Sequence, residues 1–254
     1  MKRSSFHFPP WLRLAAGPVL LALAWSVQAA DPACRIVIGS CQSAPLSTPE
    51  GTGILDQVAI EAFRRIGYKA CIESQPCERS LRNADAGATD GDLLRVAAAV
   101  LPKAPNLLAV PEVIYVLPSS AFTARPDLQV RGFDDLLPLR VGVVLGWKRL
   151  EEQVRATEVL RVRGPEELFA LLVDDKADIV IYERSAGLHL LKELNRNDIR
   201  VIDPPLVVVP THMVLNRKHQ ALLGPLAAAL RAMKADGSYA AGFRDAGVAL
   251  PEAK

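Results

Sequence analysis

The sequence predicts an α/β fold with two lobes and a cleft between them. Short apolar segments typical of buried strands alternate with segments that have the apolar period of a helix, which indicates parallel βαβ units. This alternation restarts after about residue 122, which indicates a second lobe. A further apolar strand and a helix follow the second series, so we expect the chain to return to the first lobe. Two crossings form a hinge, and hinged lobes close around small ligands.

The first lobe is predicted to contain three strands and two helices in alternation. A loop rich in Pro, Ser, Thr and Gly separates the first strand from the first helix. Gly67 follows that helix in the position of a C-terminal glycine. This order implies a parallel sheet with right-handed crossovers. The predicted elements are strands over 35–40, 68–74 and 90–96, and helices over 54–66 and 80–86.

A crossing strand leads to the second lobe, which repeats the alternation. Pro165 stands in the first turn of a helix, where proline is favoured, and Pro204-Pro205 is expected to end the series. We place the first lobe at residues 31–120 plus 207–254, and the second lobe at 121–206. The predicted strands cover 113–122, 140–144, 160–162, 177–182, 199–203 and 206–215, and the helices cover 149–155, 165–173, 185–194, 222–235 and 239–245.

The first 29 residues are predicted to be a signal peptide. The apolar run from Leu14 to Trp25 suits a signal-peptide core and is too short to span a membrane. Small residues precede a cleavage site after Ala29, with Ala30 as the close alternative and an uncleaved N-terminal anchor as the other interpretation. The residues before Cys34 do not form a lipidation box, so we expect a soluble periplasmic protein.

Composition and missing motifs exclude several classes of function. The chain has 30 Lys and Arg against 28 Asp and Glu, so it lacks the concentrated basic face of a nucleic-acid-binding protein. Its four histidines are scattered and no Cys-x-x-Cys pair exists, so no metal site is expected. Gly-x-Ser-x-Gly, His-Glu-x-x-His and phosphate-binding glycine motifs are absent, so the sequence predicts neither an enzyme nor a cofactor.

The four cysteines of an exported chain are expected to form disulfides. Cys34 and Cys41 flank an extended segment and would lie roughly 20 Å apart, too far to bond. Two parallel neighbouring strands would instead place Cys41 near Cys77, and Cys34 near Cys71. Cys41–Cys77 is the favoured bridge. Cys34–Cys71 is the second, with a small loop closed by Cys71–Cys77 as the alternative.

The order of several short motifs resembles that of family 3 extracellular solute-binding proteins, the periplasmic receptors of polar amino acid uptake systems. Together the motifs extend over about 200 residues of the chain. They are Gly51-Thr52-Gly53 at the start of the first helix, Glu78–Leu81 with 86–91, Asp135-Leu136 before 140–146, Lys176–Val180, and 226–230 with 234–237.

This resemblance implies a two-lobed fold of the type II periplasmic-binding-protein class. It also implies a monomer that captures a small polar solute, amino-acid-like or carboxylate-bearing, and delivers it to the membrane permease of an ABC importer. One alternative is a ligand-sensing module for a membrane partner such as a sensor kinase. A less favoured alternative is an enzyme similar to cyclohexadienyl dehydratase that uses Glu183 as its acid or base.

Charged residues at strand ends are the first ligand-binding candidates, because ligands lie beyond the carboxyl ends of strands in open α/β sheets. The resemblance assigns Glu183, five residues after Asp178, to the ligand's α-amino group; the alternative is a solvated glutamate paired with Arg184. Arg95 is the candidate for the ligand's carboxylate. The family places this arginine later, in a Thr-x-x-Arg motif that is absent here, so Lys103 is the second candidate. A surface or lobe-bridging role is the alternative for Arg95.

Three further residues complete the predicted site. Arg79 either lines the cleft or braces the loop at Asp90. Gly146 and Trp147 lie between a strand and a helix, where backbone N–H groups receive anions, and the Trp147 ring packs either on the ligand or on its own lobe. The loop after the first strand has no aromatic residue to stack on a ligand, unlike the family. The ligand is therefore either a standard amino acid or a different small carboxylate or zwitterion.

Overall fold

Residues 34–248 and Leu250 are described by a computed structural model. The predicted signal peptide and its cleavage site lie outside these residues. Within them, no helix combines the length and the apolar character that a membrane span requires. The strands are β1 (Ile36–Ser40), β2 (Ala70–Ser74), β3 (Gly91–Arg95), β4 (Leu107–Ala109), β5 (Tyr115–Thr123), β6 (Arg140–Val144), β7 (Glu158–Val162), β8 (Ile179–Glu183) and β9 (Arg200–Asn216). The α-helices are α1 (Ile54–Arg65), α2 (Cys77–Ala86), α3 (Ala97–Val100), α4 (Lys148–Gln153), α5 (Pro165–Val173), α6 (Arg184–Glu193), α7 (Leu223–Ala235) and α8 (Ser238–Asp245).

The strands join in a mixed sheet whose two halves belong to the two lobes. In the first lobe β1 runs parallel to β2 and β3, and in the second lobe β6 runs parallel to β7 and β8. The strand order is β2-β1-β3-β9-β5-β8-β6-β7, and β4 pairs with β9. The long strands β5 and β9 pair antiparallel in the middle, so they are the two crossing segments of the hinge. The lobe boundaries at 120/121 and 206/207 remain a prediction, because both strands run through them.

The expected break at Pro204-Pro205 is wrong, since β9 continues from Arg200 to Asn216. The register between β5 and β9 shifts at this point: Ala121 pairs with Ile202, and Ser119 pairs with Val207. The two prolines lie in the extra residues of this irregularity. Proline is tolerated there because no ladder hydrogen bond needs its missing N–H.

Each lobe has its own apolar core. In the first lobe α1 packs against α7 and α8, and the rings of Tyr115 and Phe243 stack with their centroids 5.8 Å apart. In the second lobe both faces of the sheet are covered, which explains why β6 and β8 read as continuous apolar runs. One face packs around Phe122 and Phe169, whose rings meet edge to face at 5.1 Å.

Most predicted elements form within a few residues of their expected bounds, with two local differences around the cleft. Helix α2 begins at Cys77 rather than at 80, directly after Pro76. Strand β3 ends at Arg95, and the short helix α3 follows it at once. Strand β4 was not predicted, because three residues are too few to show a strand pattern.

Both predicted disulfides are confirmed, and the alternative bridge Cys71–Cys77 is wrong. Strands β1 and β2 pair in parallel from Ile36 opposite Ala70 to Ser40 opposite Ser74. This register brings the flanking cysteines together. The Cα atoms lie 5.8 Å apart in Cys34–Cys71 and 4.8 Å apart in Cys41–Cys77. The second bridge fixes the loop after β1 to the start of α2, at the carboxyl edge of the first lobe's sheet.

Candidate functional site

Two adjoining cavities lie where the strand ends of the two lobes face each other. We call the first the hinge chamber, because residues of β5 and β9 such as Leu117 and Thr211 contribute to its wall. Its volume is about 60 Å³. The second, the side chamber, has a volume of about 420 Å³ and is lined by the loop after β1 and by α6. Cys41, Gln42 and Trp147 contribute to both chambers.

Arg95 lies in the wall of the hinge chamber, and only 4% of its surface is exposed. Its Nη2 donates to Asp92 Oδ2 at 2.5 Å and to the Cys77 carbonyl at 2.9 Å. The same Asp92 oxygen accepts a hydrogen bond from Ser80 at 2.8 Å. Arg95 Nε and Asp92 Oδ1 are buried without a partner among the described residues. Arg95 therefore contributes to the chamber wall with a free donor, Nε, whereas its partner Asp92 does not line the chamber.

Glu183 ends β8 and is fully buried behind the cleft. Its Oε2 accepts from the Ala186 N–H at 2.7 Å, which caps α6, and its Oε1 accepts from the Tyr115 hydroxyl at 3.1 Å. Burial raises the pKa of Glu183, which the hydrogen bonds only partly offset. Glu183 does not contribute to the wall of either chamber, so its contacts are internal. Its neighbour Arg184 pairs with Asp203 at 2.5 Å.

Gly146 lets the two lobes approach each other at backbone distance. Its φ of +94° favours glycine, and a Cβ at this position would lie 2.7 Å from the Glu78 nitrogen and 2.9 Å from Cys77 Cβ. Both of these atoms belong to the first lobe. Any larger residue would therefore separate the lobes at this point.

Trp147 forms a wall between the chambers. Its ring stacks on Tyr182 with centroids 5.1 Å apart and an angle of 14° between the planes. Its backbone N–H donates to the Val144 carbonyl at 3.2 Å, so this backbone donor already has a partner. The Tyr182 hydroxyl in turn bonds the Ser43 hydroxyl of the first lobe at 2.9 Å. This aromatic pair links the second lobe to the loop after β1.

Two ion pairs also join the lobes. Lys148 Nζ lies 2.5 Å from Glu78 Oε2, and Lys103 pairs with Glu152 at the exposed edge of the cleft. Burial lowers the pKa of Lys148, but hydrogen bonds and charges from Glu78 and Glu151 outweigh burial and raise it overall. We call this arrangement, in which side chains of the two lobes are in contact, the closed arrangement. Lys103 thus contacts the opposite lobe and lines neither chamber.

Arg79 is exposed and lines neither chamber. The loop at Asp90 is held by other residues: Asp90 pairs with Lys218 at 2.8 Å and with His219 at 2.7 Å, and accepts from the Val37 N–H. The bracing role that the sequence suggested for Arg79 is thus filled by the segment after β9.

Arg149 and Lys148 line the hinge chamber, although no motif of the sequence singles them out. In the sequence, these two residues are typical of the polar first turn of a surface helix. Their position at the cleft follows from the close packing of Gly146 on the first lobe, which turns the first residues of α4 toward α3. Gln42, in the place where an aromatic residue was sought, also lines the chamber.

Comparison with known proteins shows the fold. No protein-family model matches the chain. An uncharacterized protein of Shewanella oneidensis is 23% identical over 186 residues, which are 70% of each chain. The arginine-bound amino acid ABC transporter substrate-binding protein AbpA of Streptococcus pneumoniae superposes with a TM-score of 0.69 at 14% identity, covering 83% of this chain and 93% of that one.

A sensor domain and another ligand-binding core match equally well. A histidine kinase sensor domain with similarity to periplasmic binding proteins gives a TM-score of 0.70 at 14% identity, over 85% of this chain and 97% of that one. The glutamate-bound GluR0 ligand-binding core of Nostoc punctiforme gives 0.68 at 16% identity, over 83% and 98%. The chain therefore has the two-lobed fold of periplasmic binding proteins.

Proposed function

We propose that this chain is a periplasmic solute-binding protein that closes its lobes around a small polar, amino-acid-like or carboxylate-bearing solute. The observation that carries the proposal is the hinge chamber. There a buried guanidinium with an unpaired Nε, that of Arg95, faces the opposite lobe across a narrow cleft. Buried polar groups without partners are rare in folded proteins, and at a cleft they indicate a ligand.

The contacts between the lobes support closure around the solute. Lys148–Glu78 and Tyr182–Ser43 join side chains of opposite lobes and need no ligand to form. The hinge consists of two strands, β5 and β9, so opening requires only small backbone changes at their ends. Closure removes water from the chamber, which strengthens the hydrogen bonds that a charged solute makes there.

Delivery to the permease of an ABC importer is the role we favour, supported by the similarity to an ABC transporter substrate-binding protein. We propose residues 31–120 plus 207–254 as the first lobe, residues 121–206 as the second, and Arg95, Gly146 and Trp147 as site residues. The predicted signal peptide and periplasmic location belong to this proposal. So does the absence of enzymatic activity, because Glu183, the residue proposed as acid or base, lines neither chamber.

Isothermal titration of the purified protein with amino acids and small organic acids tests the proposal. Binding of one compound in the micromolar range, and its ten-fold or greater weakening in Arg95→Ala, would support it, because hydrogen bonds to charged groups are worth about 1.5–3 kcal/mol. Arg79→Ala is the matched control, since Arg79 is exposed and lines neither chamber. No binding across the panel would refute the proposal.

Ligand sensing is the second candidate function, and the similarity to a histidine kinase sensor domain favours it. Both functions need the same cleft, so binding data alone do not separate them. Cross-linking the ligand-bound protein in intact cells distinguishes them. Capture of a permease supports import, whereas capture of a sensor kinase supports sensing.

A further inference from the structure

Arg149 is a half-buried cation without a counter-ion in the wall of the hinge chamber. Its Nε is buried and has no hydrogen-bond partner, and its guanidinium forms no ion pair with any described residue. A guanidinium that is partly removed from water and left unpaired is destabilising for the free protein. Arginine at such a position is well suited to bind a carboxylate with two parallel hydrogen bonds.

The other two cations of the chamber are already compensated within the protein. Arg95 pairs with Asp92 at 2.5 Å. Lys148 lies 2.5 Å from Glu78 and 3.4 Å from Glu151. Arg149 is therefore the one of these three cations in the chamber wall that has no carboxylate partner among the described residues. One negative charge on a ligand would therefore balance the charge of the chamber wall.

The chamber offers no place for a positive charge. No aspartate or glutamate lies among the described residues of its wall. Glu183 would bind an ammonium by analogy with amino acid receptors, but it is fully buried. Its carboxylate already accepts hydrogen bonds from the Ala186 N–H and the Tyr115 hydroxyl. A ligand ammonium in the chamber would be desolvated next to Arg149 and Lys148 without a partner, which is unfavourable.

The remaining wall is mostly apolar and the space is small. Leu94, Val100, Leu117, Leu150 and Val209 contribute aliphatic side chains. The volume of about 60 Å³ has room for roughly four to six water-sized groups. An aliphatic anion of the size of propionate or butyrate matches this space, and a long or doubly charged solute does not.

We infer that the hinge chamber binds a short-chain monocarboxylate that has no amino group, with Arg149 as the residue that holds its carboxylate. This inference rests on the proposed solute-binding function and narrows its ligand class. The aliphatic tail contacts the apolar wall, and Arg95 Nε donates to the carboxylate from the first lobe. A ligand held by arginines of both lobes stabilises the closed arrangement, because only that arrangement brings them together.

Three compounds of nearly equal shape test the ligand class by isothermal titration: butyrate, butyramide and 2-aminobutyrate. Butyrate is expected to bind at least ten-fold more tightly than butyramide, which lacks the charge, and than 2-aminobutyrate, which adds an ammonium. Tighter or equal binding of 2-aminobutyrate would overturn the inference while leaving a solute-binding protein. If none of these compounds, no other short organic anion and no amino acid bind, the proposed function itself fails.

Variants test the role of Arg149. Arg149→Ala and Arg149→Gln are each expected to weaken butyrate binding ten-fold or more, and Gln keeps most of the side chain's volume. Arg161→Ala is the control, since Arg161 lies on β7 in the same lobe, is exposed and lines neither chamber. Thermal unfolding of each variant checks that the fold is intact. Butyrate affinity unchanged in both folded Arg149 variants would overturn the assignment.

Discussion

Replacing Gly146 by alanine should weaken ligand binding more than it weakens the fold. The new Cβ would lie 2.7 Å from the Glu78 nitrogen and 2.9 Å from Cys77 Cβ, and both atoms belong to the opposite lobe. The contact is with backbone and with the root of a disulfide-bonded side chain, which cannot turn away. The clash therefore exists in the closed arrangement and disappears when the lobes separate.

Two energies contribute, and they act on different equilibria. Alanine at a φ of +94° costs about 1–2 kcal/mol of folding free energy. This cost is the same in open and closed lobes, so it does not change the affinity. The clash costs about 1–3 kcal/mol in the closed arrangement only, as overpacking in a core does. An affinity loss of about 5-fold to 150-fold follows for any ligand that binds the closed lobes.

Titration calorimetry measures this loss of affinity, with the panel compound that binds the wild type most tightly. Thermal unfolding measures the loss of stability caused by alanine at a positive φ. Gly67→Ala is the matched control: its φ is +82° and a Cβ there meets nothing within 4 Å. It should lose stability like Gly146→Ala and keep its affinity. Wild-type affinity in Gly146→Ala, or an equal loss in both variants, would refute the idea that Gly146 sets the approach of the lobes.

Three other predictions concern bonds around the cleft. Removing the Cys41–Cys77 bridge by a double serine substitution leaves Cys34–Cys71 in place, and through that bridge the two positions are joined by a path of only about 13 residues. Unfolding stability in urea titrations should therefore fall by about 3 kcal/mol. Burial raises the pKa of Glu183 above its ordinary value of 4.5, so the stability of the wild type should fall as the pH rises above 4.5. The unfolding free energy of Glu183→Gln, measured relative to the wild type, should therefore increase above pH 4.5. A constant difference between the two proteins would contradict this. Glu78→Gln leaves Lys148 with Glu151 as its carboxylate partner and removes a negative charge beside the hinge chamber, so the affinity for an anionic ligand should become more sensitive to salt between low and physiological ionic strength. An unchanged slope in calorimetry would exclude compensation of Lys148 by Glu78.

The sequence predicted the sheet and its disulfides well because local rules determine both. Apolar alternation and the glycine after α1 give the βαβ order, and parallel neighbouring strands then leave few ways to pair four cysteines. The continuous β9 was missed for a local reason as well. The rule that proline interrupts a strand is sound, but Pro204 and Pro205 lie where the register with β5 already shifts.

The site was only partly predictable, because charge at a strand end has more than one use. Arg95 and Glu183 both end strands, and both were read as facing the ligand. The structure places Arg95 in the chamber wall and leaves Glu183 to cap α6 and to accept from Tyr115. Arg149 gave no signal at all, since an arginine in the first turn of a helix usually lies in solvent. Arg149 lines the chamber because the first lobe packs against the start of α4, and this contact depends on the tertiary structure.

The Cys41–Cys77 bridge connects the stability of the first lobe to the geometry of the site. The Cys77 carbonyl accepts from Arg95, and its Cβ limits the approach of Gly146 from the other lobe. Its partner Cys41 lines both chambers. One covalent link therefore fixes the orientation of the Arg95 guanidinium and the surface against which the second lobe closes. Loss of the bridge should consequently reduce affinity even under conditions where the protein stays folded, because the ordering of these groups would then have to occur on binding.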